Sequence, residues 1–295
     1  MRKVTAAAIQ MQCSAKLEEN LAKAEAMVRR AAAEGAGIIL LPELFEREYF
    51  CQQRRYDFYA YAKPAEENEA VQLGQRLAKE LGVVLPVSFY EREVNNLYNS
   101  VACVDADGSI LGVYRKTHIP DDHYYQEKFY FTPGDTDFQT FATKFGKVGI
   151  GICWDQWFPE TARCMALQGA ELLFFPTAIG SEPILDCDSM PHWRRCMQGH
   201  AAANLVPVIA ANRIGKESVS PCEENGGQTS VLQFYGSSFL TDETGELLAA
   251  ASREQEEVLT AEYDLDELLA KRLEWGLFRD RRPECYGLIA GNEKR

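Results

Sequence analysis

Val148-Gly149-Ile150-Gly151-Ile152-Cys153-Trp154-Asp155-Gln156-Trp157-Phe158-Pro159 is the stretch on which the fold turns. Its first five residues are apolar or glycine, as in a strand buried on both faces. Pro159 suits a first helical turn and Gly169 a C-terminal cap, so a helix is predicted over 159–169. Cys153 then stands on a tight strand-to-helix turn, exposed to reactants, with the backbone N–H of Trp154 beside the place where an oxyanion would develop. The layout is that of a nucleophile elbow without the usual Gly-flanked serine. Gly149 and Gly151 leave room for close packing. Taken alone, Cys153 reads equally well as one more buried thiol among nine cysteines.

Working outward, strand and helix patterns alternate. Strands are predicted over 4–10, 38–41, 83–89, 171–175, 206–211 and 258–263. Amphipathic helices are predicted over 19–34 and 67–81, with further helices over 193–204 and 265–273. Asp264-x-x-Glu267 resembles a capping box for the last of these. Turn sequences at 105–108, 146–147 and 242–245 predict three hairpins, pairing 98–104 with 109–114, 138–142 with 148–153, and 237–241 with 247–250. The polar stretches 181–191 and 216–229 read as long surface loops. With no repeat and no Pro/Ser-rich linker, residues 1–295 read as a single α/β domain of βα units and hairpins.

Composition narrows the function classes. The 295 residues carry 31 Lys+Arg against 44 Asp+Glu, a net charge of −13, which disfavours a nucleic-acid partner. No apolar run approaches the roughly 18 residues of a membrane span. The N-terminal MRKVTAAAIQMQ is too short and too soon interrupted by Gln10 and Gln12 for a signal peptide, so the expected location is cytoplasmic. Nine cysteines without a C-x-x-C pair point to reduced thiols rather than disulfides or a zinc ribbon. The four histidines lack metalloprotease spacing, and no phosphate loop is present, so neither a metal nor a nucleotide cofactor is expected.

Two more reactive residues stand directly after apolar runs. Glu43 follows Ile38-Ile39-Leu40-Leu41-Pro42, and Lys116 follows Ile110-Leu111-Gly112-Val113-Tyr114-Arg115. Reactive groups gather at strand ends in sheet-based enzymes. A carboxylate, an amine and a thiol together supply a base, an oxyanion stabiliser and a nucleophile. Singly, Glu43 is also a helix cap or a surface carboxylate, and Lys116 one of many basic residues.

Leu41-Pro42-Glu43, Tyr114-Arg115-Lys116-Thr117-His118-Ile119-Pro120 and Gly151-Ile152-Cys153-Trp154-Asp155-x-x-x-Pro159-Glu160 together resemble the three signatures of the nitrilase (carbon–nitrogen hydrolase) superfamily, in family order. The resemblance implies a four-layer αββα sandwich, a Glu43-Lys116-Cys153 catalytic triad, and homo-oligomers built from dimers. It also matches a second carboxylate to Glu127, with the role of positioning Lys116 or assisting proton transfer. The segment 275–295 reads as a C-terminal extension able to cross a subunit interface or to fold back on its own subunit.

Within the superfamily, residues 153–160, 175–183 and 193–200 look like those of the N-carbamoylputrescine amidase branch. The related N-carbamoyl-D-amino-acid hydrolases carry arginines after the nucleophile turn, where Gln156 and Trp157 stand here. The resemblance therefore implies a small cationic carbamoyl substrate. Trp154, Trp157 and Tyr130 are candidates to wall its methylenes, and Glu182 or Asp122 to meet its ammonium. A sibling amidase acting on another carbamoyl compound or linear amide, and a non-catalytic binding protein of the same fold, are the alternatives.

Overall fold

In the computed structural model, which describes residues 2–181, 183 and 185–291, a strand buried on both faces lies at the centre. Along β1 (Lys3–Gln12), Ala6 and Ala8 point into one apolar cluster while Ala7 and Ile9 point into another. Successive side chains of a strand face opposite ways, so one strand serves two cores. After β1 come α1 (Leu17–Ala33), β2 (Ile38–Leu40), α2 (Glu69–Leu81) and the meander β3 (Leu85–Glu93), β4 (Asn96–Val104) and β5 (Ile110–Arg115). The second half begins with β6 (Thr140–Thr143), β7 (Gly146–Ile150), α3 (Pro159–Leu167), β8 (Leu172–Pro176), α4 (Met190–Asn204) and β9 (Val208–Ala211). It continues with β10 (Arg213–Val219), β11 (Ser230–Tyr235), β12 (Phe239–Thr241), β13 (Leu247–Ala250), β14 (Glu257–Asp264) and α5 (Leu265–Trp275).

These elements make four layers, αββα. The first sheet has β1 between β2 and β14, with β10 and β11 beyond the end of β1. A parallel bridge from Ile38 to Val84 joins β3, β4 and β5 to it. The second sheet runs β13-β12-β9-β8-β7-β6. Ala24 and Val28 of α1 and Val71 and Leu77 of α2 cover the outer face of the first sheet. Trp193 and Met197 of α4 and Met165 of α3 cover the outer face of the second. In β8, Leu172 and Phe174 face the first sheet while Leu173 and Phe175 face those helices. Asn68 caps α2 by accepting the N–H groups of Ala70 and Val71, and Asp264 does the same at α5 for Asp266 and Glu267. Among the described residues, no helix is long and apolar enough to cross a membrane.

The predicted elements recur in the observed order, but β10 and β11 were not among them, and other bounds differ. The stretch 216–229 is not all loop. Its first residues continue β10, which pairs antiparallel with β11 from Ile214–Tyr235 to Val219–Ser230. The polar run Lys216-Glu217-Ser218 hid a strand whose buried partners come from the neighbouring β11. The strand predicted over 83–89 extends to Glu93 and turns through Val94, at φ +51°, into β4. The strand predicted to reach Cys153 stops at Ile150, and Cys153–Trp157 forms a 3₁₀ turn instead.

Candidate active site

Glu43 lies three residues past the end of β2 and is fully buried. Its loop is held from a distant strand. The buried guanidinium of Arg213, on β10, donates through Nη2 to the carbonyls of Glu43 (2.8 Å) and Leu44 (3.0 Å). Nη1 reaches the Arg47 carbonyl at 3.2 Å and the Glu217 carboxylate at 3.0 Å. Leu44 itself adopts φ +47°, and its N–H donates to Ser88 Oγ at 2.9 Å.

Lys116 follows β5, its N–H donating to the Asn99 carbonyl at 2.8 Å. The carbonyl of Lys116 accepts the Gly134 N–H, and any side chain at Gly134 would collide with the Arg115 carbonyl at 2.1 Å. The ammonium, fully buried, donates to Glu43 Oε1 at 2.8 Å and to Glu127 Oε2 at 2.7 Å. The two carboxylates are then treated differently. Glu127 Oε1 accepts the Tyr49 hydroxyl at 2.7 Å, so both its oxygens are engaged. On Glu43, Oε1 takes a second donor, Asn99 Nδ2 at 2.7 Å, while Oε2 is buried with no partner. One carboxylate is a fixture and the other keeps an open oxygen.

Cys153 enters the same pocket from the second sheet with φ +42°, a left-handed backbone that a non-glycine residue holds only under tertiary constraint. Asp155 supplies much of that constraint. Fully buried, it accepts the N–H groups of Ile152 and His118, both at 3.0 Å, together with the Tyr114 hydroxyl at 2.7 Å. The turn also needs Gly149 and Gly151, where a Cβ would lie 2.9 Å from Leu173 and 2.7 Å from Phe175. Behind it Gln156 is locked, accepting Trp193 Nε1 at 2.6 Å and donating to Thr177 Oγ1 at 3.3 Å.

Burial pushes the Cys153 thiol well above its usual range, Glu43 adds to the effect, and Lys116 opposes it. Burial alone would strip Lys116 of its proton, but Glu127 and Glu43 outweigh it and hold the ammonium charged. Burial raises Glu127 to about 7 against the pull of Lys116. A resting thiol needs a base to become a nucleophile, and the open oxygen of Glu43 is a candidate for that role.

Cys153 and Glu127 open onto a cavity of about 410 Å³. Trp154, Trp157, Ile179 and Leu185 supply apolar wall, and Asp121 and Asp122 line it too. Among its described lining residues there is no lysine or arginine. The structure thus brings together Glu43, Lys116, Cys153 and Glu127, with Trp154, Trp157 and Asp122 at the cavity. It does not bring Tyr130 there. That ring is buried in an aromatic cluster with Phe50 and Tyr90, its hydroxyl donating to the Gln53 carbonyl at 2.6 Å and accepting the Arg55 N–H at 3.0 Å. Tyr130 packs within that cluster and is not among the residues lining the cavity. Glu182 lies outside the described residues.

Sequence reasoning missed Tyr49, Asn99 and Arg213, which complete the constellation. Asn99 left one signal, the polar pair Asn99-Ser100 inside a strand otherwise apolar from Tyr98 to Val104. Arg213 left none, since its partners in the Glu43 loop lie some 170 residues away. Asp155 stood in the quoted motif without a role. Among the described residues, no group of three or more His, Cys, Asp or Glu side chains is placed to hold a metal ion.

Compared with known proteins, residues 5–272 match the family described as carbon-nitrogen hydrolase. An N-carbamoylputrescine amidase of Arabidopsis thaliana is 56% identical over 98% of this chain and 95% of its own. A citrullinase of Francisella tularensis is 52% identical over 98% of this chain and 99% of its own. The crystal structure of a carbon-nitrogen hydrolase from Helicobacter pylori superposes with a TM-score of 0.90 at 36% identity, covering 99% of this chain and 100% of that one.

Proposed function

Since the chain belongs to the carbon–nitrogen hydrolase family, we propose that it hydrolyses N-carbamoylputrescine to putrescine, carbon dioxide and ammonia. It is an enzyme acting on carbon–nitrogen bonds other than peptide bonds, and its product belongs to polyamine biosynthesis. One observation carries the mechanism: of two carboxylates gripping one buried ammonium, only Glu43 keeps an unpartnered oxygen.

Glu43 Oε2 takes the proton of Cys153 as sulfur attacks the carbamoyl carbon. The carbonyl oxygen becomes an oxyanion, stabilised by the Lys116 ammonium and the Trp154 backbone N–H. Collapse breaks one carbon–nitrogen bond, and the leaving amine departs with the proton held by Glu43. Glu43, ionised again, draws a proton from water, whose oxygen attacks the thioester carbon and expels the sulfur, and Glu43 returns that proton to the departing thiolate. The carbamic acid so released falls to carbon dioxide and the second amine. Throughout, Glu127 holds Lys116 and stays fixed by Tyr49.

The cavity supports a cationic substrate. Trp154 and Trp157 meet edge to face, their ring centroids 6.3 Å apart, and form one apolar wall against which a four-carbon chain can lie, while Asp122 or its neighbour Asp121 meets the terminal ammonium. The citrullinase relative supports a second reading. Citrulline is the same ureido compound with an added carboxylate, which would face Asp121 and Asp122 with no guanidinium among the described lining residues to receive it. Ammonia release from N-carbamoylputrescine, citrulline, β-ureidopropionate and N-carbamoyl-D-phenylalanine separates them. Preference for the first supports this reading, and preference for citrulline overturns it in favour of the second. Nine unpaired cysteines suit a reducing cytoplasm. The exposed Trp275, Leu288 and Ile289 of the C-terminal segment suit a contact with a second copy of the chain.

A further inference from the structure

We propose that Asn99 is a positioning residue that selects the working oxygen of Glu43. The proposal rests on Glu43 acting as the base, as set out above. A carboxylate has two equivalent oxygens and a free terminal torsion, so nothing in glutamate itself decides which oxygen meets the thiol. Here Lys116 Nζ and Asn99 Nδ2 converge on Oε1, at 2.8 and 2.7 Å, and leave Oε2 bare. Lys116 alone would not fix the group, because its ammonium is shared with Glu127 and has three donors to distribute.

Asn99 is well placed for this work. It is fully buried at the middle of β4, paired with Tyr90 of β3 on one side. On the other side its own carbonyl receives the Lys116 N–H at 2.8 Å. One residue therefore sets the strand position of the lysine and the rotation of the glutamate. Its Oδ1 is buried without a partner, a cost the fold bears to aim the amide N–H at Glu43.

Two shape-conserving variants test this, Asn99→Asp and Asn99→Leu, neither of which offers an N–H to an ionised Glu43. Ser100→Ala is the control, a buried neighbour in the same strand whose hydroxyl serves Glu91. With N-carbamoylputrescine, both Asn99 variants lose about 100-fold in kcat with KM changed less than about threefold, the pattern of a misaimed base. Alkylation of Cys153 by iodoacetamide, followed on its own peptide by mass spectrometry, slows about tenfold in both, as expected when proton removal is impaired. Ser100→Ala keeps kcat and alkylation within about threefold of the wild type, as for other buried changes away from the reacting groups. The alkylation arm needs no carbamoyl substrate, so it reads Asn99 even if the substrate assignment fails. Folded Asn99 variants with unchanged kcat or unchanged alkylation overturn the proposal. So does the failure of both to fold, or an equal loss in Ser100→Ala, since either assigns Asn99 to the strand alone.

Discussion

One oxygen of Asp155 receives His118 twice, through the backbone N–H at 3.0 Å and ring Nδ1 at 2.7 Å. His118 lies two residues past Lys116, and Asp155 two residues past Cys153. The bond therefore couples the segment that carries the Lys116 ammonium to the turn that carries the Cys153 thiol, across the gap between two sheets. The His118 ring also lies flat on Phe158, 3.6 Å away at 6°, which keeps it in that position.

Asp155→Asn is expected to cost about 3 kcal/mol of stability, because an amide oxygen replaces a carboxylate that satisfies four donors. Thermal unfolding checks the loss. Turnover should fall further than stability explains, since the φ +42° turn at Cys153 loses its anchor.

Removal of the reacting groups should abolish turnover and spare the fold. Cys153→Ala and Glu43→Gln should each retain under about a thousandth of wild-type kcat. Substrate binding by calorimetry should persist in both. A Glu43→Gln enzyme with more than a tenth of wild-type kcat would dismiss Glu43 as the base.

Asp122→Asn tests the ammonium site. Loss of one exposed charge partner should raise KM for N-carbamoylputrescine about tenfold, with kcat within a few-fold. Citrulline should gain relative to the diamine derivative, because a repelling carboxylate has gone. Steady-state kinetics on both compounds would expose an Asp122 that plays no part.

Glu46 predicts how stability changes with pH. Burial raises its carboxyl to about 7, although Asn68 Nδ2 at 3.1 Å and the Tyr90 N–H at 3.3 Å favour the ionised form. The folded state then keeps a proton that the unfolded chain loses near its ordinary value of about 4.3. Its contribution is complete below that value and is lost as pH rises through 7. Relative to Glu46→Gln, the wild type should therefore lose about 3 kcal/mol between pH 4 and pH 8. A constant difference between the two melting curves across that range would refute it.

Much of this protein is legible before any coordinates. The apolar runs at 38–41 and 172–175 name buried strands, and position directly after such runs makes Glu43, Lys116 and Cys153 candidates that the resemblance of their three motifs joins into one site. Legibility fades where a side chain's meaning depends on a distant partner. Arg213 reads as any arginine until β10 lies beside β1 and its guanidinium meets the Glu43 loop. Tyr130 errs in the opposite sense. As an aromatic residue it was a candidate to wall the substrate's methylenes, yet its hydroxyl is spent on residues 53–55. β10 was hidden because alternation of burial is set by its neighbour, and its own polar residues look like a loop.

The pairing of β1 has a consequence for how the chain is made. β1 is synthesised before the other strands of its sheet, yet its antiparallel partner β14 pairs from Lys3–Asp264 to Gln10–Glu257, some 250 residues later. Through most of synthesis the central strand therefore carries an open edge, of the kind that recruits other strands. The loop of Glu43 waits likewise for Arg213. The loop of the proposed base is thus among the last parts to be anchored, so nascent fragments ending before β10 hold Glu43, Lys116 and Cys153 without the Arg213 bonds that fix the first of them.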